Sequence, residues 1–295
     1  MSVSAVVVTY NRLQFLREVI EALQNGIVVP DHIIVVDNHS EQDTVDYLTS
    51  LGNKIEYVKL QENLGGAGGF NRGVRYFAEQ TNDDYVWLMD DDTIPQRDTL
   101  QELLDFASEK KDFGFLASDV RWKDGTRAKM NNPAPKNRLK KIPDDAKEPE
   151  ELMNATFVSL LMPRKVVLRI GLPITEFFIW GDDIEYTERA ARIAPGYFVP
   201  SAKVLHKMAT NVGSNVMNDT MDRLPRYYYS YRNKMYYGRK RDAVGHLKSN
   251  VRIILEAIRL LISPSVDHRF ERLSVLIKGV KAGLGFEPEV EFPKV

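Results

Sequence analysis

The segment Trp87-Leu88-Met89-Asp90-Asp91-Asp92 joins an apolar strand pattern directly to three carboxylates. Like charges crowded at the end of a strand repel one another, so a nearby positive charge is expected. Divalent cations such as Mg²⁺ and Mn²⁺ prefer hard oxygen ligands and keep open positions for further ligands. Asp90 and Asp92 can share one ion because alternate residues of an extended segment point the same way. The alternative is a solvated acidic turn before the next helix.

Upstream of this segment, short apolar runs alternate with amphipathic helical patterns. Strands are predicted at residues 3–9, 32–37, 55–60 and 85–89, and helices at residues 12–24, 44–51 and 69–80. This alternation is typical of βαβ units. It predicts an α/β fold in which a mostly parallel central sheet is flanked by helices.

Downstream, the pattern is interrupted once. Residues 129–149 carry four prolines and two clusters of charge, which predicts a mobile loop. A buried strand is predicted at residues 155–162 and a short helix at residues 166–170, and from Met221 onward the chain is predicted to be helical. We therefore expect a sheet-containing domain over residues 1–220 and a helical C-terminal region over residues 221–295.

The helical C-terminal region carries an apolar stripe. Four charged residues interrupt it, so it is not predicted to span a bilayer: Lys248, Arg252, Glu256 and Arg259. We expect first that the stripe packs against the rest of the protein. The alternatives are that it attaches to a membrane surface or that it mediates self-association into a homo-oligomer. The stripe consists of Val244, Leu247, Val251, Ile254, Leu255, Ile258, Leu261 and Ile262.

Composition narrows the class of protein. The 295 residues include no cysteine, which excludes disulfides, thiolate metal sites and a cysteine nucleophile. Residues 1–200 hold 23 Lys/Arg against 32 Asp/Glu, and residues 201–295 hold 17 against 9. A basic tail suits an anionic partner, with a solvated helical face as the alternative. No signal peptide is predicted, so we expect a cytoplasmic protein, with peripheral contact at the inner face of the cytoplasmic membrane as an option.

A glycine-rich segment, residues 63–73, follows the third predicted strand and opens a helix. Exposed backbone amides at a helix N-terminus favour an anionic phosphate, and Arg72 adds a cation. The segment is not a dinucleotide fingerprint, because Asn71 stands where the third glycine would be and because that motif follows the first strand. A purely structural glycine turn is the alternative.

Paired carboxylates follow an aromatic segment at Trp180-Gly181-Asp182-Asp183. A carboxylate near a helix N-terminus and beside an apolar platform has the features of a general base. Either aspartate could instead only cap the helix. His206 ends a short predicted strand and could complete the metal site as a neutral imidazole, although a lone histidine is often structural.

Aromatic and cationic side chains interleave over residues 223–237, where Tyr228 and Arg232 stand out. Aromatic rings stack on sugars, and cations suit a diphosphate or a headgroup. Binding of an acceptor is therefore favoured over stacking on nucleic acid, and no nucleic-acid partner is expected. Ordinary helix packing is the alternative.

Taken in order, these motifs resemble the family 2 glycosyltransferases of the GT-A type, over about residues 3–240. Within that family, the segment around Trp180 and the glycine-rich segment look like the galactofuranosyltransferases and their rhamnosyltransferase relatives. The resemblance is carried by Val7-Val8-Thr9-Tyr10-Asn11-Arg12, Val35-Val36-Asp37-Asn38, residues 63–73, Asp90-Asp91-Asp92, residues 180–185 and His206.

The resemblance implies an inverting transferase that moves a sugar from a nucleotide diphosphate to a hydroxyl of a glycan or a lipid-linked glycan, as in cell-envelope polysaccharide synthesis. Asp183 would be the base, and Asp90, Asp92 and His206 would hold Mn²⁺ or Mg²⁺. Nucleotide-sugar contacts are expected at Thr9, Asn11, Arg12, Asp37, Asn63, Gly66, Arg72, Asp90 and Asp91, and acceptor contacts at Trp180, Asp182, Tyr228 and Arg232.

The resemblance makes UDP-galactofuranose the expected donor and dTDP-rhamnose the alternative. A nucleotidyltransferase would share the sheet and the acidic metal site. It would also carry a basic, glycine-rich loop after the first strand, and Thr9-Tyr10-Asn11-Arg12 has no glycine. A non-catalytic nucleotide-sugar-binding module is disfavoured by the Asp182-Asp183 pair beside a complete set of metal ligands.

Overall fold

A mixed β-sheet organises the protein in a computed structural model that describes residues 1–137 and 139–294. The strands follow the order β3-β2-β1-β4-β9-β6-β10-β8-β7, and β5 pairs with β10. They are β1 (Val3–Thr9), β2 (His32–Asp37), β3 (Glu56–Lys59), β4 (Tyr85–Asp90), β5 (Thr93–Pro95), β6 (Phe115–Arg121), β7 (Ala134–Pro135), β8 (Glu150–Asn154), β9 (Leu160–Pro163) and β10 (Gly196–His206).

The first four strands form a fully parallel part of the sheet. β1 lies between β2 and β4, with Thr9 opposite Asp37 and Val8 opposite Asp90. The carboxyl ends of parallel strands meet at one edge of a sheet, so these polar side chains share that edge. β9 joins this part to β6 with antiparallel pairing on both sides. The predicted α/β fold is confirmed, and the rest of the sheet is mixed, with β6 and β10 paired in parallel and β8 antiparallel to β10.

Helices cover both faces of the parallel part, because buried residues alternate along β1. Val6 and Val8 pack with helix α3, and Val3 and Val7 pack with helices α1 and α4. The helices are α1 (Leu13–Gln24), α2 (Gln42–Ser50), α3 (Gly65–Gln80), α4 (Thr99–Glu109), α5 (Arg164–Ile170), α6 (Asp182–Ala191), α7 (Arg226–Arg239), α8 (Ala243–Ile262) and α9 (Arg269–Leu284).

The strand predicted at residues 155–162 is confirmed for residues 160–162 and wrong for residues 155–159. A strand begins only at Leu160, because Ser159 has a φ of 59°, which lies outside the β region. The Ser159 hydroxyl accepts a hydrogen bond from Trp87 Nε1 at 2.9 Å, and it lies 2.6 Å from Ser118 Oγ. An apolar run cannot reveal such a turn, since the contacts that hold it come from distant strands.

The region predicted as a mobile loop, residues 129–149, contains a 3-10 turn at Lys129–Asn131 and the short strand β7. Its mobility stays a prediction. Arg138 of this region and Val295 of the predicted helical region lie outside the described residues.

The chain divides into two compact units. The first contains Met1–Thr175, Asp183–Val212 and the residues from Val290 onward, and the second contains Glu176–Asp182 and Gly213–Glu289. The second unit has its own apolar core, to which α7, α8 and α9 contribute Tyr231, Leu260 and Leu276. None of the helices in the part of the chain that the structure describes is long and apolar enough to cross a membrane. A functional division after residue 220 stays a prediction.

Candidate metal centre and active site

Three predicted metal ligands come together at the carboxyl edge of the sheet. β4 ends at Asp90, and the chain turns through Asp91 and Asp92 into β5. Because β5 pairs antiparallel with β10, Thr93 lies opposite His206. Ligand atoms of Asp90, Asp92 and His206 therefore lie within 4.8 Å of one another. Two carboxylates and an imidazole at this spacing can share one divalent cation.

The imidazole of His206 is held from both sides. Its Nδ1 lies 2.8 Å from Asn131 Oδ1, and its Nε2 lies 2.9 Å from Asp92 Oδ1. The Asn131 amide nitrogen donates to Thr156 Oγ1 at 3.1 Å, which directs the amide oxygen to the ring. An amide oxygen only accepts, so Nδ1 carries a hydrogen and Nε2 is the nitrogen directed at the carboxylates.

Sequence reasoning did not find Asn131. This residue lies within the predicted loop, and 75 positions separate it from His206. No motif marks it, and only the folded chain brings it to the imidazole.

Burial makes the carboxylate cluster costly to charge. Desolvation and the charge of Asp92 raise the pKa of Asp90 to about 6. Desolvation also raises the pKa of Asp91 to about 7, although Arg12 opposes this shift. For Asp92, desolvation is outweighed by the hydrogen bonds and charges of His206 and Arg12, which lower the pKa. A divalent cation bound here would favour the ionised form of these carboxylates.

The loop after β1 contacts the same cluster. Arg12 Nη1 donates to Asp92 Oδ2 at 2.6 Å and to Asp91 Oδ1 at 3.3 Å, and Thr9 Oγ1 donates to Asp91 Oδ2 at 2.8 Å. The Arg12 side chain is 49% exposed, so its guanidinium can also reach a bound anion. The structure thus brings four predicted nucleotide-sugar residues together, namely Thr9, Arg12, Asp90 and Asp91.

Asp37 lies beside Thr9 at the end of β2 and is fully buried. Its Oδ1 accepts a hydrogen bond from the Ser40 backbone at 2.8 Å, and its Oδ2 accepts one from the Tyr57 hydroxyl at 2.9 Å. Asn11, with a φ of 54°, accepts a hydrogen bond from the Glu41 backbone at 2.7 Å. In this structure Asp37 and Asn11 hold neighbouring loops in shape, and their predicted contacts with a nucleotide stay predictions.

In the glycine-rich segment, one glycine allows close packing and another leaves the backbone accessible. A Cβ on Gly69 would lie 2.3 Å from Val8 Cγ1, so this glycine lets α3 pack closely against β1. A Cβ on Gly66 would meet no atom within 4 Å, so the backbone there can be approached by a ligand. Asn63 Oδ1 accepts a hydrogen bond from the Gly65 backbone at 2.8 Å at the start of the helix. Arg72 is partly exposed on the same helix.

A series of hydrogen bonds runs from the His206 partner Asn131 to helix α6, whose first residues are Asp182 and Asp183. It continues beyond Thr156 through the neighbouring Ala155, whose backbone N–H donates to Thr187 Oγ1 at 3.2 Å. The Thr187 hydroxyl donates in turn to the backbone oxygen of Asp183 at 2.6 Å. The predicted base and the predicted metal ligands thus lie in the same unit of the chain.

The Asp183 carboxylate lies in the first turn of α6 and is partly exposed. Its Oδ1 accepts a hydrogen bond from the Ile184 backbone N–H at 2.7 Å. Because it is partly exposed, this carboxylate can be approached by an acceptor hydroxyl.

The predicted acceptor residues of the second unit lie on and against α7. Trp180 packs edge-on against Tyr227 with ring centroids 5.0 Å apart, which places it at the core of this unit. The Arg232 guanidinium lies 5.8 Å from the Tyr228 ring centroid. Ordinary packing within the second unit accounts for the position of the Trp180 ring. An acceptor-binding role stays a prediction for Trp180, Asp182, Tyr228 and Arg232.

The loop before α6 takes an unusual backbone path. Phe178, Trp180 and Gly181 have φ values of 61°, 63° and 93°. The Asn233 amide nitrogen donates to the backbone oxygens of residues 177, 179 and 180 at 2.9, 3.2 and 2.8 Å. Asn233 is fully buried, so this conformation is built into the second unit.

The profile described as glycosyl transferase family 2 matches residues 4–171, which contain the parallel part of the sheet and the aspartate cluster. The chain therefore belongs to glycosyl transferase family 2.

Among curated relatives, the chain is similar to galactofuranosyltransferase GlfT1. It is 27% identical to the protein from Mycolicibacterium smegmatis over 257 residues, which cover 79% of this chain and 82% of the relative. Identity to GlfT1 of Mycobacterium tuberculosis is 29% over 250 residues, covering 80% and 81%. The chain is thus a galactofuranosyltransferase-like member of the family.

Solved structures confirm the GT-A-like fold. TarS of S. aureus superposes with a TM-score of 0.56 at 16% identity, covering 97% of this chain and 44% of that one. GalNAc-T7, crystallised with UDP, GalNAc and Mn²⁺, superposes with a TM-score of 0.58 at 15% identity, covering 79% and 47%. The chain therefore spans less than half the length of these two proteins.

Proposed function

We propose that this family 2 glycosyltransferase is a metal-dependent, inverting galactofuranosyltransferase that uses UDP-galactofuranose. The acceptor would be a hydroxyl of a glycan or a lipid-linked glycan. Family membership favours this activity over that of a nucleotidyltransferase or a non-catalytic binding module. The observation that carries the proposal is the convergence of Asp90, Asp92 and His206 within 4.8 Å at the carboxyl edge of the sheet.

The donor assignment rests on similarity to the two GlfT1 proteins over about four-fifths of the chain, 79% and 80%. A UDP-linked donor also agrees with the fold neighbours, since TarS 1–349 has been crystallised with UDP-GlcNAc and GalNAc-T7 with UDP. dTDP-rhamnose remains the alternative donor.

The residues present fit a divalent cation. Asp90, Asp92 and His206 offer two carboxylates and an imidazole, and Asn131 directs the imidazole. When bound there, Mn²⁺ or Mg²⁺ would offset the negative charge of the donor diphosphate. The open backbone near Gly66 would bind phosphate oxygens of the donor.

In the proposed reaction, Asp183 takes the proton of the acceptor hydroxyl as the hydroxyl oxygen bonds to the anomeric carbon. The bond between that carbon and the UDP oxygen breaks on the opposite face, so the configuration inverts. A positioned general base contributes roughly 10²- to 10⁴-fold to the rate of such a step. Thr9 and Asp37 would orient the nucleoside.

A donor screen tests the proposed activity. Purified protein is incubated with an acceptor glycan and UDP-galactofuranose, UDP-galactopyranose or dTDP-rhamnose, with Mn²⁺ or with excess EDTA, and release of the nucleotide is measured. We expect acceptor-dependent release of UDP from UDP-galactofuranose that EDTA abolishes. Faster turnover of dTDP-rhamnose would contradict the donor assignment, and full activity in EDTA would contradict the metal requirement.

The base is tested by a pair of isosteric variants. Asp183→Asn should lower kcat by roughly 10²- to 10⁴-fold while UDP binding stays unchanged. Asp182→Asn is the matched comparison; as a change at a predicted acceptor contact, it should raise the KM for the acceptor and keep most of kcat. If Asp182→Asn alone abolishes transfer, the base is misassigned.

A further inference from the structure

The outer face of helix α8 is apolar yet exposed. The eight residues of the predicted apolar stripe are between 43% and 72% exposed, which contradicts the expectation that the stripe packs against the rest of the protein. A contiguous exposed apolar surface of this kind marks an interaction site. We name this outer face the α8 stripe; it consists of Val244, Leu247, Val251, Ile254, Leu255, Ile258, Leu261 and Ile262.

The opposite face of α8 already anchors the helix in the second unit. Ser249, Ile253 and Leu260 are buried there. Asp242 caps the N-terminus by accepting a hydrogen bond from the Gly245 backbone at 2.8 Å. The inner face and the N-cap therefore anchor the helix without the stripe. The stripe remains exposed and can contact another surface.

Cations border the stripe. Lys248, Arg252 and Arg259 are exposed, and their spacings of four and seven residues place them along one flank of the helix. The single acidic residue within residues 243–262, Glu256, accepts a hydrogen bond from the Tyr231 hydroxyl at 3.0 Å. The outward side of α8 therefore combines a broad apolar strip with a positive edge.

We propose that the α8 stripe docks on the surface of a bilayer that contains anionic phospholipids. The helix would lie in the plane of the interface, with its apolar side chains at the acyl boundary and Lys248, Arg252 and Arg259 at the headgroup phosphates. Apolar contact and electrostatic attraction to anionic headgroups together produce this mode of binding.

A second copy of the chain fits this surface less well. A two-fold contact places the same patch on both partners, so each basic flank would approach another basic patch without an acidic counterpart on α8. An anionic lipid surface complements the charge instead. The proposal concerns only binding to a membrane surface, so it can be tested independently of the proposed transferase activity.

Co-sedimentation of the full chain with vesicles tests the proposal. We expect binding to vesicles of phosphatidylcholine mixed with phosphatidylglycerol, weak binding to phosphatidylcholine alone, and a fall in binding as salt is raised. Replacing Lys248, Arg252 and Arg259 by Gln should weaken binding to the anionic vesicles by roughly fivefold per cation.

The apolar contribution is tested by the double variant Ile254→Asn/Ile258→Asn, which should weaken binding about tenfold or more. The matched control is Ile27→Asn/Val29→Asn, which makes the same kind of exchange at two exposed positions of the first unit and should bind like the wild type. Thermal melts followed by circular dichroism check that both variants fold.

Three outcomes would overturn the proposal. The first is no vesicle binding by the wild type. The second is equal binding to neutral and anionic vesicles. The third is a dimer, seen by analytical ultracentrifugation, that the Ile254→Asn/Ile258→Asn variant abolishes while vesicle binding persists.

Discussion

Removal of the Asn131 side chain should weaken metal binding although Asn131 is not itself a proposed ligand. Both Asn131 and His206 are only 7% exposed, and the Nδ1 to Oδ1 distance is 2.8 Å. In Asn131→Ala, the Nδ1–H would be left without this acceptor inside the protein. A buried donor without a partner costs about 1–3 kcal/mol, and the imidazole is freer to turn away. We therefore expect affinity for Mn²⁺ to fall about 10- to 100-fold.

Isothermal titration calorimetry with Mn²⁺ in the presence of UDP measures this effect. Asn132→Ala is the matched control, because Asn132 is the next residue and is exposed. Asn131→Asp keeps an acceptor at the same place and should retain most of the affinity. In the Mg²⁺-bound protein, the ¹⁵N chemical shifts of His206 report the tautomer, which should be protonated on Nδ1 in the wild type and mixed in Asn131→Ala.

Equal Mn²⁺ affinity in Asn131→Ala and Asn132→Ala would refute this reasoning. It would mean that the strand geometry of β10 alone orients His206. Loss of affinity in Asn131→Asp as well as Asn131→Ala would also count against it, since it would point to a packing role for Asn131 rather than to an acceptor role.

Three further predictions concern stability. Folding raises the Asp91 pKa from 3.8 to about 7, so its contribution to metal-free stability is present below about pH 4 and is lost as the pH rises through 7. As the pH rises over this range, the melting temperature of Asp91→Asn should therefore rise relative to that of the wild type. A pH-independent difference between the two melting temperatures would contradict the pKa shift of Asp91. Gly69→Ala should lower the free energy of unfolding by about 1–3 kcal/mol through its clash with Val8, whereas Gly66→Ala should not; urea titration distinguishes the two. Asn233→Ala should cost about 1–3 kcal/mol and speed proteolysis of the loop before α6, and an unchanged cleavage rate would show that the loop holds its path without this amide.

Local patterns in the sequence were sufficient for the first part of the fold. The periods of apolar residues differ between strands and helices, so β1, β2 and β4 and the helices between them could be predicted. A candidate metal site could also be predicted, because Asp90 and Asp92 end an apolar strand and carboxylates select hard cations. The motif order was sufficient to predict the family, which the comparison confirmed.

The tertiary structure decided everything that depends on distant pairing. His206 meets Asp92 because β5 and β10 are antiparallel, and Asn131 reaches His206 across 75 residues. An apolar stripe on α8 has the same sequence period whether it is buried or exposed. Its exposure was settled by the opposite face of the helix, which supplies Ile253 and Leu260 to the core of the second unit. Periodicity records that a face is apolar, and only packing determines what that face contacts.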